Sequence, residues 1–531
     1  MRQIRDNFYI KVLLKGWGIC CLVWSFMILQ FWWGNHDWEF LKYGILLKNG
    51  FFEARYSQHF PTVFFLEGQI LPVFSYVFAM FFLALLGLLI AKYLECPQDE
   101  IKYLFFIAMI AALPHTPILF YYVFILVPLL FWGCVGVGIL HLLEPPFKLW
   151  KFVLGCVGFL VLLGSYPPNM ALLLTLFVGK RLLAYVLKQQ NFKEIIYNGL
   201  FFAGIFCATF GIYKFFQNML IYGKFLNPIM YNVSVRSFED IVLQVPAELK
   251  AFPMFFVNMY KSLKGVYVLF FGLVLTGAVC YVFCLAKNKI VIVLFLIALF
   301  LTSRFTFILS ASAYGAQFRV GWWGNVGVIT VCLAVLFQCK NKCVQNLVIL
   351  MCCLFLVSFV RTDFEIQKVR YLGFWGERLF QKRVGNRLAD YPLFDIDKTY
   401  VTLNLGYPDL HRHFCYNDCY GFNNELLDAT VLPADFGQFI FWDERQQPVN
   451  VRYGFWNKRL WFVGRGVLKD MRPHDIDSEV TSIRQWMYSG VKMYPSSSAI
   501  YIDDQFLIFN FDEHIFNISR EYILGRLEKE K

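Results

Sequence analysis

Long apolar runs dominate the first 360 residues of the chain and restrict its fold more than any other feature. A helix needs about 20 mainly apolar residues to cross a hydrocarbon core of roughly 30 Å, and such runs recur from residue 12 to residue 360. Only 16% of the 531 residues are charged, whereas soluble domains average about 25%. The pattern therefore predicts an α-helical polytopic membrane protein.

About eleven apolar segments are predicted to cross the membrane. Their boundaries lie near 12–33, 72–91, 97–114, 117–140, 148–166, 168–187, 195–213, 266–286, 288–303, 321–338 and 343–360. The runs 97–140 and 148–187 are nearly unbroken, so each can be divided in more than one way. Trp32 and Trp33 follow the first segment, where a signal-peptide cleavage site would need small residues, so we expect that segment to be retained as an anchor.

Basic residues are concentrated in the apolar part of the chain. Residues 1–360 carry 27 Lys and Arg against 13 Asp and Glu, and residues 361–531 carry 22 against 24. With a cytoplasmic N-terminus, most of the first group falls in cytoplasmic segments, as the positive-inside rule requires. The short outer turns 114–117 and 165–169 contain neither Lys nor Arg. The charge bias therefore indicates topology and argues against a nucleic-acid partner.

An odd number of spans places the first loop and the C-terminal region on the same, extracytoplasmic face. We predict a membrane domain at 1–360, with outer loops 34–71, 214–265 and 304–320, and an extracytoplasmic domain at 361–531. Amphipathic surface helices are expected near 238–243 and 252–260. In the C-terminal domain, alternating runs predict strands at 400–405, 439–442, 449–453, 460–463 and 506–509. Helices near 376–390 and 479–490 complete a mixed α/β domain.

Two carboxylates, Asp37 and Glu39, lie just outside the first predicted span among aromatic residues. Carboxylates are costly within a membrane and often functional at its edge. One could act as a general base towards an acceptor hydroxyl, while the other binds a cation or orients that base. The alternative is a polar boundary that simply ends the span.

Histidines on the predicted outer face could supply nitrogen ligands beside these carboxylates. His36, His59 and His115 could join them in a mixed oxygen and nitrogen site for a divalent metal. Their spacing matches no recognised metal motif, so ordinary hydrogen bonds at the interface are the alternative. His115 lies in the four-residue turn Pro114–Pro117, close to the predicted membrane surface.

Three outward arginines, Arg55, Arg304 and Arg319, are the cations predicted to lie nearest the outer membrane surface. The planar guanidinium group binds phosphate oxygens in a bidentate manner, so these residues suit a lipid-phosphate substrate. The alternative is that they reach lipid headgroups from the ends of spans.

The layout of residues 1–360 resembles the GT-C superfamily of integral-membrane glycosyltransferases. The likeness is nearest to the bacterial O-antigen glucosyltransferase (Gtr-type) branch, in which acidic residues of the first outer loop precede a polar stretch with Arg. Here these patches correspond to Asp37-Trp38-Glu39 and Glu53-Ala54-Arg55-Tyr56. The Gtr-like branch commonly has adjacent acidic residues, whereas here His36 precedes Asp37.

The resemblance implies an inverting transferase of the bacterial inner membrane that uses a polyprenyl-phosphate sugar donor. Its acceptor would be a cell-surface glycan or a lipid-linked precursor. Asp37 would be the base and Glu39 its assistant, while the substrate-binding candidates are Arg55, His59, His115, Arg304 and Arg319. No cofactor is implied beyond a divalent metal. An O-antigen polymerase or ligase would depend on arginines in the large outer loops, and a transporter would need charged groups within its spans.

Overall fold

A computed structural model describes the chain in a series of ranges. They are 2–30, 44–47, 55–71, 73–113, 116, 119, 123–222, 238–261, 265–309, 317–393, 401–405, 485–486, 488–492, 496–502, 506–510 and 517. These residues are mostly helical. The described residues up to Lys368 form one compact unit, and those from Val369 onward belong to a second.

The helices follow one another with short connections. They are α1 (Arg2–Val23), α2 (Ser25–Leu29), α3 (Phe60–Leu66), α4 (Phe74–Tyr93), α5 (Glu100–Ala111), α6 (Val123–Leu142), α7 (Leu149–Leu163), α8 (Asn169–Val186), α9 (Phe192–Tyr222), α10 (Phe238–Lys261), α11 (Gly265–Leu285), α12 (Lys289–Ser303), α13 (Phe305–Leu309), α14 (Gln317–Phe337) and α15 (Lys342–Ala389).

Five helical segments of the described chain are long and apolar enough to cross a membrane. They are Phe74–Tyr93, Ile125–Leu142, Asn169–Val186, Phe192–Phe216 and Lys342–Glu365. Shorter apolar helices such as α7 and α12 have 15 residues each. A helix of that length rises only about 22 Å. Each predicted span coincides with a helix, and the count of eleven spans stays a prediction.

Successive long helices of the first unit run in alternating directions, so the connections collect at two ends of the bundle. We call the end near residues 29, 60, 112, 163–169 and 303 the first-loop end. The other, which we call the opposite end, lies near residues 93–100, 143–149, 187–191 and 338–342. At the first-loop end, Trp24 Nε1 donates to the carbonyl of Ala111 over 3.1 Å. At the opposite end, Lys11 Nζ lies 2.9 Å from Glu100 Oε2.

Small residues allow the central helices to approach closely, as is common between membrane helices. A Cβ on Gly324 of α14 would lie 2.0 Å from the carbonyl oxygen of Ser303 on α12. A Cβ on Gly179 of α8 would lie 2.2 Å from a methyl of Val331 on α14. These contacts join α8, α12 and α14 into the packed centre of the bundle.

The second predicted outer loop contains one long helix where the sequence predicts two short ones. Helix α10 runs without a break from Phe238 to Lys261, and the preceding helix α9 extends to Tyr222. Gln244 Nε2 donates to Glu248 Oε1 over 3.0 Å. This pairing of residues one turn apart supports a single helix through the middle of the segment.

The second unit contains a three-stranded sheet in the order β1-β3-β2. Strand β1 (Val401–Leu405) pairs in parallel with β3 (Phe506–Asn510), with Val401 opposite Phe506. Strand β2 (Ile500–Ile502) pairs antiparallel with β3. Strands β1 and β3 coincide with two predicted strands, whereas β2 was not predicted. The predicted strands at 439–463 lie outside the described residues, and the α/β domain as a whole stays a prediction.

Candidate functional site

The segment that follows the first loop is hydrogen-bonded to the first-loop end of the bundle. The backbone N–H of Ser57 donates to the carbonyl of Gly164 over 3.0 Å, and Trp132 Nε1 donates to the carbonyl of Ser57 over 3.0 Å. The Tyr56 hydroxyl donates to the carbonyl of Leu160 over 2.6 Å. Residues 55–59 are therefore fixed on the ends of α6 and α7.

Gly164 makes this contact sterically feasible. A Cβ at this position would lie 2.2 Å from Cζ of Tyr56, far inside van der Waals contact, so any larger residue would displace the tyrosine ring. Burial raises the pKa of the Tyr56 phenol, and the nearby Tyr213 raises it further. Tyr56 therefore stays neutral and keeps donating its hydrogen bond at physiological pH.

Arg55 projects over the turn between α7 and α8. Its guanidinium carbon lies 5.6 Å from the ring centroid of Tyr166, in the range of a cation–π contact. Pro167 and Pro168 follow Tyr166 and lead into α8, whose first residue is Asn169. The arginine side chain is thus held at the first-loop end, as its predicted outward position requires.

His59 lies on the same segment, at the N-cap of α3, with Pro61 in the first turn. Its side chain is buried, with 4% of its surface exposed. The backbone carbonyl of His59 accepts from Val63 over 3.0 Å and starts the helix. Arg55 and His59 are therefore brought together by a short fixed segment, and contact of His59 with substrate stays a prediction.

Arg304 forms a buried ion pair with Glu248 of α10. Its Nε and Nη2 atoms each lie 2.8 Å from Glu248 Oε2. The two side chains are only 5% and 2% exposed. The guanidinium also stacks on Phe307, 3.8 Å from the ring centroid. The sequence analysis did not foresee this pairing, which balances the charge expected to bind a phosphate.

The remaining predicted site residues are not placed by the structure. Asp37, Glu39 and His115 lie outside the described residues, and Arg319 belongs to α14 with its side chain outside them. Among the described side chains, no group of three or more His, Cys, Asp or Glu could hold a metal ion. The acid pair and the divalent metal stay predictions.

Two buried polar side chains were missed by the sequence analysis. Asn169, at the start of α8, is buried, and neither amide atom has a hydrogen-bond partner within the described part of the chain. Asp363 of α15 is fully buried, and both carboxylate oxygens lack a partner among the same residues. Buried polar atoms are rarely left unpaired. Their positions, in the Pro-Pro-Asn turn and just after an apolar run, were the available signals.

Asp363 lies near a bridge between the first and last helices of the unit. One turn beyond it, Gln367 Nε2 donates to the carbonyl of Val23, and Gln367 Oε1 accepts from the backbone N–H of Met27, each over 3.0 Å. Val23 and Met27 flank the break between α1 and α2. The bridge therefore fixes the helix end from which the loop carrying Asp37 departs.

Comparison of the chain with protein-family profiles, curated protein sequences and solved structures finds no match. The functional argument therefore depends on the residues and their geometry alone.

Proposed function

We propose that the chain is a membrane glycosyltransferase that transfers a sugar from a polyprenyl-phosphate donor to a cell-surface glycan or its lipid-linked precursor. One observation carries the proposal: both flanks of the first loop are anchored at the same end of the bundle. Gln367 binds the helix break before the loop, and Ser57 binds the bundle after it. Asp37 and Glu39 lie between these two anchors.

The proposed chemistry is a single displacement. Asp37 removes the proton of the acceptor hydroxyl as its oxygen attacks the anomeric carbon, and the bond from that carbon to the phosphate oxygen breaks. The polyprenyl phosphate leaves with the bonding electron pair, and the anomeric configuration inverts. Glu39 orients the acceptor or the base. A divalent metal, if one takes part, would bind the phosphate beside these carboxylates.

Arg55 is the first candidate for the donor phosphate. It lies at the first-loop end over Tyr166, at the level where the phosphate of a membrane-embedded polyprenyl chain would be found. Arg304 already holds a buried carboxylate, so we place it after Arg55. His59, His115 and Arg319 stay candidates for the sugar or the phosphate. The protein would lie in a bacterial inner membrane with the first-loop end outside.

The test is donor consumption by the full-length protein in nanodiscs. The probe is a panel of undecaprenyl-phosphate-linked hexoses and N-acetylhexosamines, supplied with a lipid-linked glycan, and the readout is released undecaprenyl phosphate by mass spectrometry. Asp37→Asn should reduce release at least about a hundredfold, the scale of a lost general base. The control is Asp6→Asn, at the start of α1, which should release undecaprenyl phosphate as the wild type does.

The outcomes separate the two enzyme classes. Undiminished release in Asp37→Asn would remove the proposed base. If Arg304→Ala then abolished activity in a folded protein, an O-antigen polymerase or ligase would be favoured. No release from any donor of the panel by the wild type would contradict the proposal as a whole.

A further inference from the structure

A polar cavity opens at the opposite end of the bundle, away from the proposed glycosyltransferase site. Its volume is about 210 Å³, and it lies between the ends of α4, α6, α8 and α14. The polar lining includes Glu95, Glu144, Lys180, Arg181, Gln190 and Gln338. One wall is apolar and is formed by leucine and alanine side chains of α8. Nothing in the proposed transfer reaction uses this cavity.

The charges of the cavity are separated by depth. The cations lie at the floor: the side chains of Arg181 and Lys180 are 4% and 12% exposed. The carboxylates lie nearer the mouth, where Glu144 is 23% and Glu95 is 54% exposed. The formal charges of these four residues cancel. A ligand with a net charge therefore gains little, whereas one with a deep anion and a shallow cation matches the layout.

Arg181 offers an unused donor at the floor. Its Nη2 atom binds Glu144 Oε1, and its Nη1 atom donates to Gln190 Oε1 over 3.2 Å. The Nε–H has no acceptor among the described residues, although it is buried. A buried charged donor without an acceptor is unfavourable, so an oxygen atom of a ligand would complete the arginine's hydrogen bonds.

Lys180 and Glu95 can exchange partners at low cost. Lys180 Nζ lies 3.4 Å from Glu144 Oε1 and 3.2 Å from Glu95 Oε1. The Glu95 contact is half exposed, and exposed ion pairs contribute little to stability. A ligand phosphate could therefore take the lysine, while a ligand ammonium takes Glu95. The backbone of Glu95 stays in place because its carbonyl accepts from Gln338 Nε2 over 2.8 Å.

We propose that this cavity binds the headgroup of a phosphoethanolamine lipid. The phosphate would lie against Arg181 and Lys180, the primary ammonium would donate to Glu95 at the mouth, and the glycerol would follow the apolar wall. The location fits a lipid, because the cavity lies at the helix ends, where headgroups meet the bundle. Binding would tie the ends of α4, α6, α8 and α14 together.

The test is native mass spectrometry of the delipidated full-length protein titrated with three dioleoyl lipids. Phosphatidylethanolamine should bind about tenfold tighter than phosphatidylcholine, which keeps the phosphate but has no N–H donor for Glu95. It should also bind more tightly than phosphatidylglycerol, which lacks the cation. Soluble glycerophosphoethanolamine should compete with the lipid, whereas inorganic phosphate should compete only weakly.

Three variants assign the contacts. Glu95→Gln should remove the preference for ethanolamine over choline and leave phosphatidylcholine binding unchanged. Lys180→Gln should weaken binding of all three lipids by a similar factor. Glu194→Gln, at the same end but outside the cavity lining, is the matched control and should behave as wild type. Equal affinity for the three headgroups, stronger binding of phosphatidylglycerol, or an unchanged preference in Glu95→Gln would overturn the proposal. None of these results depends on transferase activity.

Discussion

The buried ion pair between Arg304 and Glu248 allows structure and catalysis to be separated in one double-mutant cycle. Two guanidinium nitrogens lie 2.8 Å from the same carboxylate oxygen, and both side chains are at most 5% exposed. Removing one partner of such a pair costs about 3 to 5 kcal/mol, because the other charge is left buried and uncompensated. We therefore expect Arg304→Met alone to lower the free energy of unfolding by that amount.

The double variant Arg304→Met/Glu248→Gln removes both charges, and a neutral amide can still accept from Gln244. We expect it to recover most of the loss, with a coupling energy of about 2 to 3 kcal/mol, within the range for contacting residues. Thermal or denaturant unfolding of the purified protein in detergent measures the cycle. A double variant no more stable than Arg304→Met would refute the reasoning.

Activity measured on the same four proteins tests the order of the arginines. If Arg304 mainly positions α10 against α12, the stable double variant should retain at least about half of the wild-type donor release. A double variant that is stable but inactive would place Arg304 ahead of Arg55 as the donor-phosphate residue. Arg55→Lys, which keeps the charge but loses the planar guanidinium, is the parallel measurement and should raise the KM for the donor more than it lowers kcat.

Three further changes test the anchors of the bundle. Gly164→Ala should cost about 1 to 3 kcal/mol by overpacking against Tyr56 and should reduce transfer, whereas Gly138→Ala, with open space around it, should do neither; equal thermal shifts would contradict this contact. Gln367→Leu should cost about 2 to 5 kcal/mol, because it leaves a backbone N–H and a carbonyl unsatisfied, and a neutral effect in denaturation would exclude the bridge. Hydrogen bonds from two lysines lower the pKa of Glu100, so its contribution to stability is present above the unfolded pKa of about 4.3 and is lost as the pH falls through the lower folded pKa. Acid-unfolding curves of Glu100→Gln should therefore lack part of the wild-type decline in this window, and superimposable curves would contradict the pairing.

Helix positions followed directly from the apolar runs of the sequence. Each predicted span coincides with a helix, because a stretch without charges can satisfy its backbone only internally. The number of membrane crossings does not follow as directly. Helices α7 and α12 are apolar but only 15 residues long, and hydropathy alone does not tell a short span from a buried helix.

The pairing of side chains across the bundle could not be predicted from the sequence. Arg304 was identified as an outward cation, but its partner Glu248 is 56 residues away, and no local pattern links the two. The position of Arg55 was predicted, whereas its contact with Tyr166 depends on how the first loop packs on α7. The cavity around Arg181 has the same cause, because its charges come from the ends of different helices.

The position of the donor is the central claim, and photocrosslinking measures it directly. The full-length protein in nanodiscs would be labelled with a polyprenyl phosphate that carries a photoreactive group in its first isoprene unit, and the labelled peptides identified by mass spectrometry. We predict labelling of residues 55–71 and 160–170, at the first-loop end, and its reduction by excess unlabelled donor. Competed labelling confined to residues 92–102 or 143–151, at the opposite end, would contradict the account.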